Sequence, residues 1–176
     1  MTMEWATLGR PPIIARTGIN SGSMLVGNLG SEYRFSYGVL GDDVNLGSRL
    51  EGLNKQYGTE ILIGENTAQL VFGAFRLREV DVVRVVGKER PTRIYELVAT
   101  AKTELSEAHE AALRDYAQAL EAYRARRWPE AIRLLQAVLA RWSNDGPARV
   151  MTRRCQAYAE SPPPADWDGA FDATSK

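Results

Sequence analysis

An asparagine and an arginine lie four residues apart within residues 41–51, whose sequence is GDDVNLGSRLE. Apolar residues recur at near-helical spacing here and predict a helix over residues 44–56. On that helix Asn45 and Arg49 share one face, one turn apart. An amide and a guanidinium can together hold a phosphate and a nearby ether oxygen, and can stabilise charge that develops during phosphoryl chemistry. Ordinary surface hydrogen bonds by the same two side chains are the alternative.

Two aspartates, Asp42 and Asp43, stand just before the predicted helix. Carboxylate oxygens are the ligands that Mg²⁺ prefers. Aspartates at a helix start also cap the free backbone N–H groups and interact favourably with the helix dipole. We expect the capping role, so neither residue is assigned as a metal ligand.

The surrounding elements predict an α+β fold. Apolar runs bounded by Gly, Asn and Ser predict four short strands, at residues 13–19, 24–26, 35–40 and 60–63. A turn is expected at residues 27–30 and a short helix at residues 65–72. Residues 75–86 alternate apolar and charged side chains, and a Gly/Pro turn separates them from a strand at residues 92–98. These two strands predict an antiparallel hairpin.

The composition changes near residue 100, where the chain becomes rich in Ala, Leu, Arg and Glu. Apolar stripes predict three helices, of which the first two resemble a tetratricopeptide-like pair. We expect one buried contact set between them, formed by Leu120, Tyr123, Ile132, Leu135 and Leu139. Because one such pair cannot bury its own face well, it should pack on the preceding part or on another chain. A stabilising appendage and a partner-binding module both remain open.

The bulk composition limits the classes of function. Of 176 residues, 44% are hydrophobic, and 22 basic residues balance 22 acidic ones. With no net charge, the chain has no overall electrostatic field that would attract nucleic acid or an anionic membrane. We therefore expect neither as a partner. The single cysteine, Cys155, excludes an internal disulfide and fits a reducing compartment. No apolar run reaches the roughly 20 residues of a membrane helix, so we expect a cytoplasmic chain, whether or not a longer parent is membrane-anchored.

Three motifs in unbroken order resemble the catalytic domain of class III adenylate and guanylate cyclases. They are GINSG at residues 18–22, VGNLG at 26–30 and GDDVNLGSRLE at 41–51. The resemblance implies a partial ferredoxin-like cyclase domain with an antiparallel sheet, the C-terminal half, over residues 1–100. A helical tail at 101–160 and a Pro-rich segment at 161–176 would follow it. The activity implied is conversion of ATP to cyclic AMP and pyrophosphate in cyclic-nucleotide signalling.

The resemblance also implies roles for particular residues. It gives Asn45 and Arg49 the role of stabilising the transition state as the 3′-hydroxyl attacks the α-phosphate. It implies that Gly38 and Lys88 bind the substrate. At the position of Gly38 the family carries a threonine or aspartate that reads the purine. Because Gly38 has no side chain to read a base, guanylate cyclase remains an alternative. The family's triphosphate lysine aligns with Val86, so Lys88 is either its substitute or a solvated turn residue.

The resemblance also implies where the family's metal site lies. Two Mg²⁺ ions are bound there by two aspartates upstream of the GINSG motif, and those positions precede the first residue of this sequence. Family members form dimers in which one subunit supplies the aspartates and the other supplies the Asn and Arg. We therefore expect an inactive chain that needs a homodimer partner or the missing N-terminal half of the cyclase domain. A non-catalytic remnant acting as an interaction module is the alternative.

Overall fold

A computed structural model describes residues 15–31, 34–85 and 90–173. The strands are β1 (Thr17–Ile19), β2 (Leu25–Ser31), β3 (Arg34–Leu40), β4 (Ile61–Gly64), β5 (Phe75–Val85), β6 (Thr92–Thr100) and β7 (Phe171–Ala173). The helices are α1 (Asp42–Tyr57), α2 (Glu65–Leu70), α3 (Glu107–Arg124), α4 (Trp128–Arg141) and α5 (Gly146–Glu160). Strands and helices alternate first and three helices follow, so the predicted α+β class is confirmed.

The main sheet has five strands in the order β1-β4-β6-β5-β7, and β2 pairs with β3 in a separate hairpin. The ladders that join β6 to β4 and to β5 are antiparallel, as predicted. The two outer pairs, β1 with β4 and β5 with β7, are parallel. Parallel pairing needs a long crossover connection, and the β2–β3 hairpin with α1 provides one between β1 and β4. The sheet is therefore mixed, with an antiparallel centre.

The turn predicted at residues 27–30 is wrong, because these residues continue strand β2. They pair in register with β3, where Gly27 lies opposite Gly38 and Asn28 opposite Tyr37. A cross-strand ladder satisfies the backbone groups of this stretch, and that gain outweighs the local preference of Asn and Gly for turns. Strand β2 ends at Ser31, and β3 begins at Arg34.

The core divides into two clusters. In the first, the inner face of α1 packs on the sheet; its fully buried members are Leu50, Tyr57, Leu62, Val80, Val83 and Ile94. In the second, the three C-terminal helices pack on each other. There Leu120, Tyr123 and Leu135 are buried, and Ile132 and Leu139 are partly buried against them. The predicted pairing of α3 with α4 is confirmed, and the tetratricopeptide-like comparison stays a prediction.

The helices pack on the sheet through buried polar contacts as well. The Tyr116 hydroxyl of α3 donates to the backbone oxygen of Val80 at 2.9 Å. Arg78 of β5 is buried between the carboxylates of Glu96 and Asp145. The expected packing of the helices on the preceding part of the chain is therefore observed. None of the helices in the described ranges combines the length and the apolar character needed to cross a bilayer.

The segment after α5 docks on the rest of the chain. Trp167 joins an aromatic cluster, with ring centroids 5.2 Å from Tyr123 and 5.7 Å from Trp128. Arg84 of β5 then forms ion pairs with Asp168 and Asp172, both at 2.6 Å. Strand β7 thereby closes the outer edge of β5. These contacts hold residues 167–173 of the Pro-rich C-terminal segment against the sheet and the helices.

Candidate active site

Helix α1 carries both predicted catalytic residues. Its inner face is fixed by Leu46, Leu50 and Leu53, which are buried against the sheet. Asn45 is exposed and Arg49 is partly exposed, so both lie outside the buried face. Within the described ranges, neither side chain makes a hydrogen bond or an ion pair. The amide and the guanidinium are therefore free to contact a ligand or another chain.

The GINSG motif holds the N-terminal end of α1. A Cβ at Gly18 would lie 2.2 Å from the backbone oxygen of Gly47 and 2.3 Å from the nitrogen of Glu51. Only glycine therefore lets β1 lie directly against the helix backbone. The amide nitrogen of Asn20 donates to the backbone oxygen of Asp43 at 3.0 Å and to its carboxylate at 3.2 Å. The motif thus positions the helix, a role that sequence reasoning did not assign to it.

The capping role expected for Asp42 and Asp43 is wrong. The cap residue is Gly41, so the cap position has no side chain that could accept the capping hydrogen bond. Gly41 has a φ of 153°, which glycine adopts readily, so the helix starts one residue earlier than a capping aspartate requires. Both aspartates lie in the first turn, where their charge still interacts favourably with the helix dipole.

The first turn of α1 does not fit a magnesium site. The carboxylate of Asp43 accepts from Asn20 and lies against Gly22, where a Cβ would be 2.0 Å from Oδ2. Among the residues whose positions are described, no group of three or more His, Cys, Asp or Glu side chains could hold a metal ion. Within residues 15–31, 34–85 and 90–173, the carboxylates therefore do not form a two-metal site.

Of the two predicted substrate-binding positions, Gly38 and Lys88, the structure describes only Gly38. Gly38 lies in β3, which leads directly into α1, and a Cβ there would be 3.1 Å from Cδ1 of Leu29. Gly38 can offer a base only its backbone groups and the space beside them. Lys88, like Val86, lies outside the described residues, although the strands β5 and β6 on either side of it form the predicted hairpin.

A buried asparagine ties the second half of α1 to β1. The Asn54 amide nitrogen donates to the backbone oxygen of Thr17 at 2.9 Å and to that of Leu50 at 3.0 Å. Its oxygen accepts from the Thr59 hydroxyl at 2.8 Å. Sequence reasoning missed Asn54; the available signal was a polar residue next to the apolar stripe of the helix, where burial requires hydrogen-bond partners.

The last turn of α1 meets a buried ion pair. The Tyr57 hydroxyl donates to the Asp81 carboxylate at 2.5 Å, and Arg154 of α5 donates to the same carboxylate at 2.5 Å. Burial raises the pKa of Tyr57 well above its usual value. Burial alone would lower the pKa of Arg154, but the charge of Asp81 and the nearby tyrosines raise it. Arg154 therefore stays a cation inside the protein.

Comparison with known protein families shows to which family the chain belongs. The family described as the adenylate and guanylate cyclase catalytic domain matches residues 4–99. The chain belongs to this cyclase family. An adenylate cyclase of Anabaena cylindrica is 40% identical over 101 residues, which are 56% of this chain and 20% of that protein. Adenylate cyclase 1 of Rhizobium meliloti is 34% identical over 94 residues, 53% of this chain and 14% of that protein.

Similarity to one relative reaches beyond the cyclase-family segment. A terminal-differentiation-specific adenylate cyclase of Dictyostelium discoideum is 33% identical over 141 residues, 78% of this chain and 7% of that protein. That stretch is too long to fit within residues 4–99, so it continues into the C-terminal helices. The chain spans only a small part of each of these relatives.

Solved cyclase structures also match part of the chain. The adenylyl cyclase CyaB of P. aeruginosa matches at 33% identity with a TM-score of 0.48, over 58% of this chain and 52% of that one. The guanylyl cyclase Cya2 matches at 31% identity with a TM-score of 0.46, over 57% of this chain and 50% of that one.

The β2–β3 hairpin of this cyclase segment exposes large apolar side chains. Leu25, Phe35 and Tyr37 are 75%, 64% and 76% exposed. The same hairpin exposes Val26, Val39 and Leu40. Paired residues of an antiparallel ladder lie on the same face, so Val26, Phe35, Tyr37 and Val39 form one apolar face of the hairpin, and Leu25 and Leu40 lie on the other. Exposed apolar patches of this kind mark interaction surfaces. The hairpin precedes α1, so this surface adjoins the helix that carries Asn45 and Arg49.

Proposed function

We propose that this chain supplies the transition-state half of an adenylate cyclase active site, which converts ATP to cyclic AMP and pyrophosphate. The catalytic residues are Asn45 and Arg49. The observation that carries the proposal is an amide and a guanidinium on one accessible face of α1, without partners in the described part of the chain. Both ends of this helix are held, by Asn20 at one end and by Asn54 and Tyr57 at the other.

The proposed step is an in-line displacement at the α-phosphate. The ribose 3′-hydroxyl gives its proton to water, and its oxygen forms the new bond to the α-phosphorus. The bond from that phosphorus to the α–β bridging oxygen breaks, and pyrophosphate leaves with the electron pair. Negative charge on the α-phosphate oxygens is stabilised by the Arg49 guanidinium, which offers a planar fork of donors. The Asn45 amide orients a nearby ether oxygen of the ribose. Hydrogen-bond donors on an anchored helix need no reorganisation during the reaction. This is the condition under which such donors stabilise a transition state strongly.

The complete site requires a second segment. We propose that the two Mg²⁺ ions are held by the N-terminal half of the cyclase domain, from the same chain or from the other copy in a homodimer. The exposed β2–β3 hairpin supports this, because such a segment would cover the apolar face formed by Val26, Phe35, Tyr37 and Val39. We place the assembled domain in the cytoplasm, where ATP is available.

The experiment restores the second segment. The aspartate-bearing N-terminal half of a cyclase domain is joined to the chain or co-expressed with it, and Mg²⁺-dependent formation of cyclic AMP from ATP is measured. Arg49→Ala and Asn45→Ala should each lower kcat by roughly 10²–10³, the range for loss of one preorganised donor, with little change in KM. Lys55→Ala, an exposed cation on the same helix, is the matched control and should leave kcat unchanged.

Three outcomes would count against parts of the proposal. No cyclase activity after addition of the second segment would refute it. Abolished turnover in Asp42→Asn, with activity retained in Arg49→Ala, would move the chemistry to a metal site at the start of α1. Faster turnover of GTP than of ATP would favour the guanylate cyclase alternative, which Gly38 leaves open because it has no side chain to read a base.

A further inference from the structure

The C-terminal helices hold the end of the helix that carries Asn45 and Arg49. Tyr57, in the last turn of α1, is fully buried. Its hydroxyl accepts from Nη2 of Arg154 at 3.2 Å while it donates to Asp81 of β5. Arg154 also contacts the Tyr123 hydroxyl at 3.4 Å. These four residues, Tyr57, Asp81, Tyr123 and Arg154, form a buried network that joins α1, the sheet, α3 and α5.

The network is closed on its remaining side by the C-terminal segment. The ring of Phe171, the first residue of β7, lies 3.8 Å from the guanidinium carbon of Arg154. A guanidinium over an aromatic face is attracted by the ring's negative face, more strongly where water is excluded. Arg154 is 8% exposed, so its position is set by protein groups and not by solvent.

A second, independent contact brings the backbones of α5 and α1 together. A Cβ at Gly146 would lie 2.1 Å from the backbone oxygen of Tyr57 and 3.0 Å from Cα of Gly58. Helix α5 therefore begins directly against the end of α1. Asp145 caps α5 by accepting from the nitrogen of Ala148 at 2.7 Å, and its other carboxylate oxygen binds Arg78 at 2.5 Å. The start of α5 is thus fixed to the sheet.

We propose that Arg154 is a positioning residue for the cyclase reaction, acting through Tyr57 to set the rotation of α1 and so the direction of Asn45 and Arg49. This inference rests on the proposed function. Tyr57 follows Arg49 by eight residues, about 12 Å along a helix. A helix is stiff over that length, so a rotation at Tyr57 moves the catalytic face. The helical tail is then a working part of the catalytic unit.

A purely stabilising ion pair and a positioning residue have different consequences. Loss of a stabilising pair lowers the folded fraction, but the molecules that remain folded keep their kcat. Loss of a positioning residue lowers kcat in folded molecules, because the transition-state donors are displaced while ground-state binding persists. The kinetic measurement must therefore be made where every variant is folded.

The first test compares variants of the reconstituted cyclase at a temperature where circular dichroism shows each to be folded. Arg154→Met should lower kcat by about tenfold to hundredfold, the scale of a small misplacement of catalytic groups, with KM within about twofold. Arg154→Lys should recover only part of the activity, because an ammonium cannot reproduce the planar fork. Leu135→Ala is the control, since Leu135 belongs to the core cluster of the C-terminal helices and not to the cluster that contains α1, and its kcat should be unchanged.

The second test needs no activity and uses the chain as it is. Amide hydrogen exchange within residues 50–57 should speed up in Arg154→Met but not in Leu135→Ala. Tyr57→Phe, which removes one hydroxyl and leaves the pairing of Asp81 with Arg154, should lower kcat in the same direction if Arg154→Met does not fold. An unchanged kcat in folded Arg154→Met, or equal exchange in the two variants, would overturn the inference. If the wild-type assembly forms no cyclic AMP, the proposed function fails, and exchange alone decides whether Arg154 holds α1.

Discussion

The side-chain amide of Asn20 donates to the backbone oxygen of Asp43 at 3.0 Å, joining the end of β1 to the first turn of α1 across 23 positions of sequence. The bond is partly buried, so its loss leaves the Asp43 oxygen without this donor. We predict that Asn20→Ala lowers the free energy of unfolding by about 0.5–1.5 kcal/mol, and also lowers kcat of the reconstituted cyclase.

Urea unfolding and steady-state kinetics check the Asn20 prediction. Asn66→Ala is the matched control, because the Asn66 amide makes an exposed hydrogen bond to the backbone oxygen of Ser21, the residue after Asn20. Its effect on both quantities should be smaller. Equal effects of the two substitutions would show that Asn20 has no special part in holding the helix.

The purified chain should form no cyclic AMP from ATP. The reason is that the first turn of α1 does not fit a magnesium site, and the implied mechanism needs metal-bound carboxylates. Cyclic AMP is measured with Mg²⁺, using protein from a host that lacks its own cyclase, and the reconstituted protein prepared in the same way is the positive control. Metal-dependent turnover above a heat-killed sample would contradict the prediction.

Leu135 is buried where α4 packs on the other C-terminal helices. Leu135→Ala leaves a cavity there, and we expect a loss of about 2–5 kcal/mol in the free energy of unfolding of the tail. Gln136→Ala changes the adjacent, exposed position and should shift stability by no more than about 0.5 kcal/mol. An unchanged thermal midpoint for Leu135→Ala would mean that the helix pairing is wrong.

Burial raises the pKa of the Cys155 thiol to about 11. Since the thiolate is the reactive form, native chain should react very slowly with iodoacetamide at pH 8. Its rate should keep rising up to about pH 11, whereas the rate in urea should level off above the ordinary thiol pKa of about 8.5. The double variant Cys155→Ser with Gln156→Cys places the thiol at an exposed position and is the control. Fast native alkylation with an ordinary pH profile would contradict the burial of Cys155.

Local patterns were sufficient to predict most elements of this fold. Helix α1 was predicted over residues 44–56 and is observed from Asp42 to Tyr57. The hairpin of β5 and β6 and the pairing of α3 with α4 were also predicted, from turn residues, alternation and apolar stripes. Alternation did not report the buried face of β5, because the register shifts between Glu79 and Asp81 and the charged side chains of Arg78 and Asp81 are buried. The prediction of a turn at residues 27–30 failed because the backbone hydrogen bonds of these residues are made to a partner strand, which the local sequence does not reveal.

The sequence by itself determined that Asn45 and Arg49 share one face of a helix, because helical periodicity depends only on their spacing. Tertiary structure decided what holds that helix. Asn20, Asn54, Asp81 and Arg154 act across long separations in sequence, the last being 97 residues from Tyr57. No local sequence pattern predicts such contacts, because the hydrogen-bond partners of a buried polar group come from distant parts of the chain that meet only on folding.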